Sequence, residues 1–143
     1  MSKPHVVLVF GDPDSGKSWL ANKLCNEYGY DILALDSAYI QFIIGKYPHL
    51  ILDSLTLVIS QHYQTILKAT EKNVDKAWAQ YVTDKICNDM LDNDTPVVIE
   101  GYLLAPILKT LRSRLSKVAR VSVVYVKDRH YYVDSNIERI AKQ

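Results

Sequence analysis

The residues Gly11-Asp12-Pro13-Asp14-Ser15-Gly16-Lys17-Ser18 fit the spacing G-x-x-x-x-G-K-S, and they constrain the chain more than any other stretch. Before them runs His5-Val6-Val7-Leu8-Val9-Phe10, short, apolar and rich in β-branched residues, the pattern of a buried strand. After them, Trp19-Leu20-Ala21-Asn22-Lys23-Leu24-Cys25 has apolar residues at 20, 21, 24 and 25, a helical spacing. A strand, a glycine-bounded loop and a helix are the context this motif requires. In that geometry successive backbone N–H groups point inward and form an anion cradle at a helix N-terminus. Lys17 would reach the outer phosphates of a bound nucleotide, and the Ser18 hydroxyl would hold Mg²⁺.

The chain has 143 residues, enough for one domain with a core and too few for two ordinary ones, so residues 1–143 are expected to form a single domain. With 48% hydrophobic residues the composition is globular. Seventeen basic and sixteen acidic residues leave a net charge of +1, which argues against a nucleic-acid partner held by electrostatics. Cys25 and Cys87 fall in predicted helices and match no metal spacing, as expected of reduced core thiols in an intracellular protein. Met1-Ser2-Lys3-Pro4 runs straight into the first strand without a signal-peptide pattern, and no apolar run is long enough to span a bilayer. The expected location is cytoplasmic, with no membrane partner.

The first strand is predicted over 6–10 and the first helix over 17–28, stopped by Gly29. A second strand over 31–35 ends at Asp36-Ser37, which could cap a helix over 38–44. Gly45 to His49 reads as a break. Amphipathic helices are predicted over 53–70, with His62 on the apolar face as a packing residue, and over 74–91, with a stripe of Val74, Trp78, Tyr81, Val82 and Cys87 facing the core. Asp92 to Pro96 is a turn cluster. A third strand over 97–99 ends at Glu100-Gly101. Pro106 sits at a plausible first helical position, opening a helix over 107–116. A fourth strand is predicted over 121–126, and the tail closes with a helix for which Asp134 is a candidate N-cap.

Strands alternating with helices imply a parallel sheet covered on both faces, joined by right-handed crossovers. Ligands of such sheets sit beyond the carboxyl ends of the strands. The glycine loop ends the first strand, Asp36 the second and Glu100 the third, so all three are expected at one edge. A phosphate cradle, a metal-binding hydroxyl and two carboxylates gathered there suit phosphoryl transfer.

Three places resemble small P-loop kinases of the nucleoside and nucleotide kinase group, most closely the uridine kinase and phosphoribulokinase branch. They are Gly11 to Ser18, Leu35-Asp36-Ser37-Ala38-Tyr39, and Val97-Val98-Ile99-Glu100-Gly101-Tyr102-Leu103-Leu104. Their order and approximate separation also agree, so the likeness covers about residues 5 to 128. The resemblance implies an α/β fold of three layers, α/β/α, around a short parallel sheet of strand order 2-3-1-4. A fifth strand is usual in the family, and none is found in this tail. It also implies ATP and Mg²⁺ as cofactors, and an Asp facing the acceptor hydroxyl. Asp14 stands where these kinases usually have glycine, and Trp19 replaces the second Ser/Thr that usually follows.

The expected nucleotide-binding residues are therefore Gly11, Asp12, Pro13, Asp14, Ser15, Gly16, Lys17, Ser18 and Trp19. Lys17 and Asp36 are the expected catalytic pair, Ser18 the metal ligand, and Asp36, Tyr39 and Glu100 the acceptor contacts. Arg129 and Arg139 are candidate lid arginines. The expected activity is transfer of the γ-phosphate to a small hydroxyl-bearing acceptor such as a nucleoside, nucleotide or sugar. Alternatives are a degenerate or regulatory nucleotide-binding module, or a polynucleotide end kinase. That last group pairs the strand-end Asp with an Arg three residues on, where this chain has Tyr39. The expected partners are a nucleoside triphosphate and a small-molecule acceptor, and a homo-oligomer is compatible with the sequence.

Overall fold

The protein is seen in a computed structural model that describes residues 3–11, 16–46, 74–91, 95–127 and 134–143. Within helices, the side chains of residues 36, 40, 43–46, 74, 102, 103, 105 and 134–136 are outside that description. Four parallel strands form one sheet: β1 (His5–Phe10), β2 (Asp31–Ala34), β3 (Val97–Glu100) and β4 (Arg120–Tyr125). Their order is β2-β3-β1-β4, as the resemblance to small P-loop kinases implies, and all four are parallel, as the alternating pattern predicts. Among the described residues β4 is an edge, with no fifth strand beside it.

The apolar run that predicts β1 is buried on both faces, with Val6 to Val9 fully excluded from solvent. Its side chains alternate between two cores. Val6 and Leu8 pack with Leu35, Trp78, Val82, Ile86, Leu104 and Leu111. Val7 and Val9 pack with Leu20, Leu24, Val98, Ile137 and Ile140 on the opposite face. Helices α2 (Leu35–Lys46), α3 (Val74–Lys85) and α4 (Leu108–Leu115) therefore cover one side, and α1 (Lys17–Tyr28) and α5 (Asp134–Ala141) the other. Fully burying each such Val, Leu or Ile contributes roughly 1.5–3 kcal/mol before the opposing chain entropy is counted.

Helix α1 keeps the expected limits. Gly29, at φ 73°, adopts the left-handed conformation that ends it, and its N–H donates to the Cys25 carbonyl at 3.1 Å while the Tyr30 N–H donates to Leu24 at 3.2 Å. The second crossover departs from expectation. β2 stops at Ala34 and α2 begins at once with Leu35, so Asp36 lies inside the first turn and is not an N-cap. Fully buried Leu35 anchors that junction. The same helix runs through Gly45 to Lys46, a glycine that costs about 1 kcal/mol against alanine but does not break it.

The predicted helix over 74–91 changes character at its end. α3 gives way to a π-helical turn, Ile86–Met90, closed by the Leu91 N–H on the Ile86 carbonyl. Trp78 and Val82 face the core as expected, and Ile86 and Ala79 join them, whereas Tyr81 and Cys87 are only partly buried against it. Burial pushes the Cys87 thiol pKa up, and the Asp84 carboxylate adds to the rise. Pro106 lies within a 3₁₀ segment, Tyr102–Ile107, and not at the first position of α4, which starts at Leu108. The predicted helix over 53–70 with His62, the break at 47–49 and the turn at 92–94 fall outside the described residues. No described helix is long and apolar enough to cross a membrane.

Candidate active site at the carboxyl edge of the sheet

Strand register brings the candidate residues together. Ala34 on β2 pairs with Glu100 on β3, and Glu100 pairs with Val9 on β1. Gly11 follows the end of β1 and Asp36 lies two residues beyond Ala34. The head of α1, Glu100 and the first turn of α2 therefore share the carboxyl edge, with Glu100 on the strand between the other two. This is the crevice where parallel α/β sheets hold ligands.

At the head of α1, Gly16 has φ 103°, a left-handed conformation that strongly favours glycine. Its carbonyl accepts the first helical hydrogen bond, from Leu20 N–H at 3.0 Å. The first N–H groups of a helix have no partner within it, and the aligned peptide dipoles make that end positive. The first turn of α1 contains no acidic residue to neutralise it. It begins with Lys17, which is 8% exposed, deep for a side chain that stays at the surface unless it is engaged. Ser18 follows, exposed. Trp19 is half-buried against the core of this face, and the Lys23 ammonium lies 5.9 Å from its ring centre. A cation therefore stands beside a left-handed glycine at the positive end of a helix.

Of the other predicted residues, Asp12, Pro13, Asp14, Ser15 and Arg129 lie outside the described residues, as does the side chain of Asp36. Tyr39 is 3% exposed, its ring 4.9 Å from Trp78 and 5.7 Å from Phe42. It packs the core under the site and does not line an open edge. Arg139 is exposed but is not brought to the site. The end of its helix is held at the opposite edge, where the Ala141 carbonyl accepts from the Tyr30 hydroxyl at 3.1 Å and the Gln143 carbonyl accepts from Arg120. Tyr125, in register with Phe10 and on the face that α2, α3 and α4 cover, is the largest exposed apolar side chain of the described residues.

Fold and site together define an α/β domain with a parallel sheet of order 2-3-1-4, with Gly11 at the end of its first strand and Gly16 and Lys17 at the head of the helix that follows. No family model matches the chain. Among solved structures it is similar to a gluconokinase from Sinorhizobium meliloti 1021, at 12% sequence identity, over 99% of this chain and 96% of that one, with a TM-score of 0.45. So loose a superposition leaves the functional argument with the residues of the site.

Proposed function

We propose that this chain is a P-loop kinase-like protein that binds a nucleoside triphosphate and transfers its γ-phosphate to a small hydroxyl-bearing acceptor. The observation that carries the reading is Lys17, held buried at the head of α1 directly after left-handed Gly16, on the sheet edge that Glu100 and the first turn of α2 share. Phosphoryl transfer asks little covalent chemistry of a protein. It asks for positioning and for charge stabilisation at the phosphates.

In this reading Lys17 and the backbone N–H groups of the loop neutralise the outer phosphates. The exposed Ser18 hydroxyl, next to Lys17 in the first turn, fits a Mg²⁺ carried in with the nucleotide, since that ion takes few protein ligands beside phosphate oxygens and water. When bound, the ion neutralises charge developing between the β- and γ-phosphates. Asp36 orients the acceptor hydroxyl and takes its proton, and Glu100, one strand nearer the loop, contacts the acceptor or the hydrated metal.

A second reading, a nucleotide-binding module without turnover, has one specific observation behind it. Trp19 occupies the place of a second hydroxyl, and its ring is committed to core packing and to Lys23. One experiment separates the two: incubation with Mg-ATP labelled at the γ-phosphate and a panel of nucleosides, nucleotides and sugars. Label appearing on an acceptor supports the kinase. Saturable ATP binding with label on no acceptor supports the module, and no ATP binding overturns both.

A further inference from the structure

We infer that the exposed face of α4 is a docking surface for the phosphate backbone of a nucleic-acid duplex, held without regard to base sequence. This surface uses no residue of the carboxyl-edge site, so it does not depend on the nucleotide reading. A net charge of +1 speaks against such a partner only where charge is evenly spread, and here it is not. Six of the seventeen cations, and none of the sixteen carboxylates, fall within residues 101–127.

The helix has two unlike faces. Leu111 and Leu115 are fully buried, and Leu108 packs partly against the same core. Lys109, Arg112, Ser113 and Ser116 follow the i, i+3, i+4, i+7 spacing of one face, and all four are exposed, as is Lys117 in the turn that follows. Exposed lysines elsewhere have a carboxylate one turn away: Lys23 with Glu27, Lys85 with Asp89 and Lys142 with Glu138. One turn beyond Lys109 and Arg112 stand Ser113 and Ser116 instead. Lys109, Arg112 and Lys117 have no ion pair or side-chain hydrogen bond among the described residues. Arg114 and Arg120 are engaged elsewhere, the first by Gln80 Oε1 at 3.1 Å and the second by the carbonyls of Lys3 and Gln143. Helix stability does not account for the three that remain. Arg112 in the last turn complements the helix dipole, but Lys109 in the first turn opposes it, and the like charges repel one another.

The shape and chemistry of the face select the partner. From Lys109 to Lys117 it runs about 12 Å, at about 1.5 Å per residue. That length of duplex axis carries roughly three to four phosphates of one strand. Ammonium, guanidinium and hydroxyl groups all donate to phosphate oxygens, and such contacts fix a duplex in place without reading its bases. An anionic bilayer is a poorer match. The leucines of α4 point into the core, which leaves Val118, 45% exposed, as the one large apolar side chain among the described residues beside these cations to enter a membrane interface.

The test is fluorescence anisotropy of a short labelled DNA duplex, titrated with the protein from about 50 to about 200 mM salt. Three phosphate contacts correspond to a slope of about −2.7 in log K against log salt, so wild-type affinity should fall roughly 40-fold over that range. Lys109→Gln, Arg112→Gln and Lys117→Gln should each make the slope shallower by about 0.9, and by the same amount on a duplex of different sequence. Their urea midpoints should stay at the wild-type value, because all three side chains are exposed. A variant with all three changes that binds duplex as wild type does overturns the inference. Duplex binding lost only together with the urea midpoint overturns it too and gives these side chains a structural role. A wild type that binds no duplex at about 50 mM salt also overturns it. If that wild type binds phosphatidylserine vesicles and the triple variant does not, the face belongs to a membrane.

Discussion

His5 Nδ1 and the Tyr30 hydroxyl lie 2.7 Å apart in the interior, at the sheet edge opposite the candidate site. The proton positions follow from the neighbours. The Tyr30 hydroxyl gives its one proton to the Ala141 carbonyl at 3.1 Å, so it can only accept from the imidazole. His5 therefore carries its proton on Nδ1, and bare Nε2 accepts from the Ser122 hydroxyl at 2.7 Å. One relay, Ser122 to His5 to Tyr30 to Ala141, ties β4, β1, the entry to β2 and the end of α5 together.

That relay makes stability depend on acid. His5 is 3% exposed, and burial lowers its pKa, with the nearby Arg120 charge lowering it further. An unfolded histidine titrates near 6.5. Between that value and the lower folded one, only the unfolded chain takes the proton, so stability rises with pH. The His5 contribution should hold above about pH 7 and fall as the pH drops through 6.5 toward the folded pKa. Urea midpoints for wild type and His5→Gln at about pH 7.5 and about pH 5.5 check this. The wild-type advantage should shrink in acid; an advantage that stays constant would remove the linkage.

Lys17→Ala should lower Mg-ATP affinity by about 1.5–3 kcal/mol, the span of a charge-assisted hydrogen bond. Lys17→Met, which keeps an apolar stem in the buried position, should lose affinity to the same extent. Calorimetric titration measures both. Equal binding by wild type and either variant would take the phosphate role from Lys17.

The aromatic group beneath the site predicts a stability effect. Trp78 is 1% exposed, with Tyr39 at 4.9 Å edge-on, Phe42 at 5.3 Å and Tyr81 stacked at 5.8 Å. Trp78→Ala should cost roughly 3–5 kcal/mol by loss of burial and by the cavity left. Denaturant unfolding would show this, and a loss of under about 1 kcal/mol, typical of an exposed site, would contradict the packing described.

The limits of α1 were legible because local signals and tertiary outcome agree there, whereas the strand order was legible only through the resemblance. Gly16 and Gly29 sit where the chain needs left-handed angles, and Glu100 ends an apolar run that has room only in a sheet interior. What was not legible depends on distant partners. Tyr39 reads as a site residue through the resemblance, as the aromatic that follows the strand-end Asp, yet its ring packs edge-on against Trp78 of α3. Arg139 reads as a lid residue until the anchoring of Ala141 places its helix end at the far edge. The start of α2 at Leu35 was obscured because Asp36-Ser37 carries the chemistry of a cap whether or not it serves as one. The His5 relay joins residues 25 and 117 positions apart, which no local pattern encodes.

Asp36→Asn distinguishes an enzyme from a binding module. Asp36 is the second residue of α2, in the turn that follows Ala34, and Ala34 is in register with Glu100. A carboxylate in a first helical turn interacts favourably with the helix dipole, worth about 0.3–1 kcal/mol. If that is its whole role, Asn costs a little stability and nothing in turnover. If it orients the acceptor hydroxyl and takes its proton, Asn should leave Mg-ATP affinity nearly unchanged and cut transfer by roughly 10²–10⁴-fold, the usual contribution of a positioned base. The two roles therefore separate into different observables, unfolding free energy for one and turnover at constant nucleotide affinity for the other. ATP affinity, the urea midpoint and transfer to the best acceptor of the panel, measured together on both proteins, give the decision. A wild type that transfers phosphate and an Asp36→Asn that matches it would leave Asp36 with the helix alone and move the search for the base to Glu100, one strand nearer the loop.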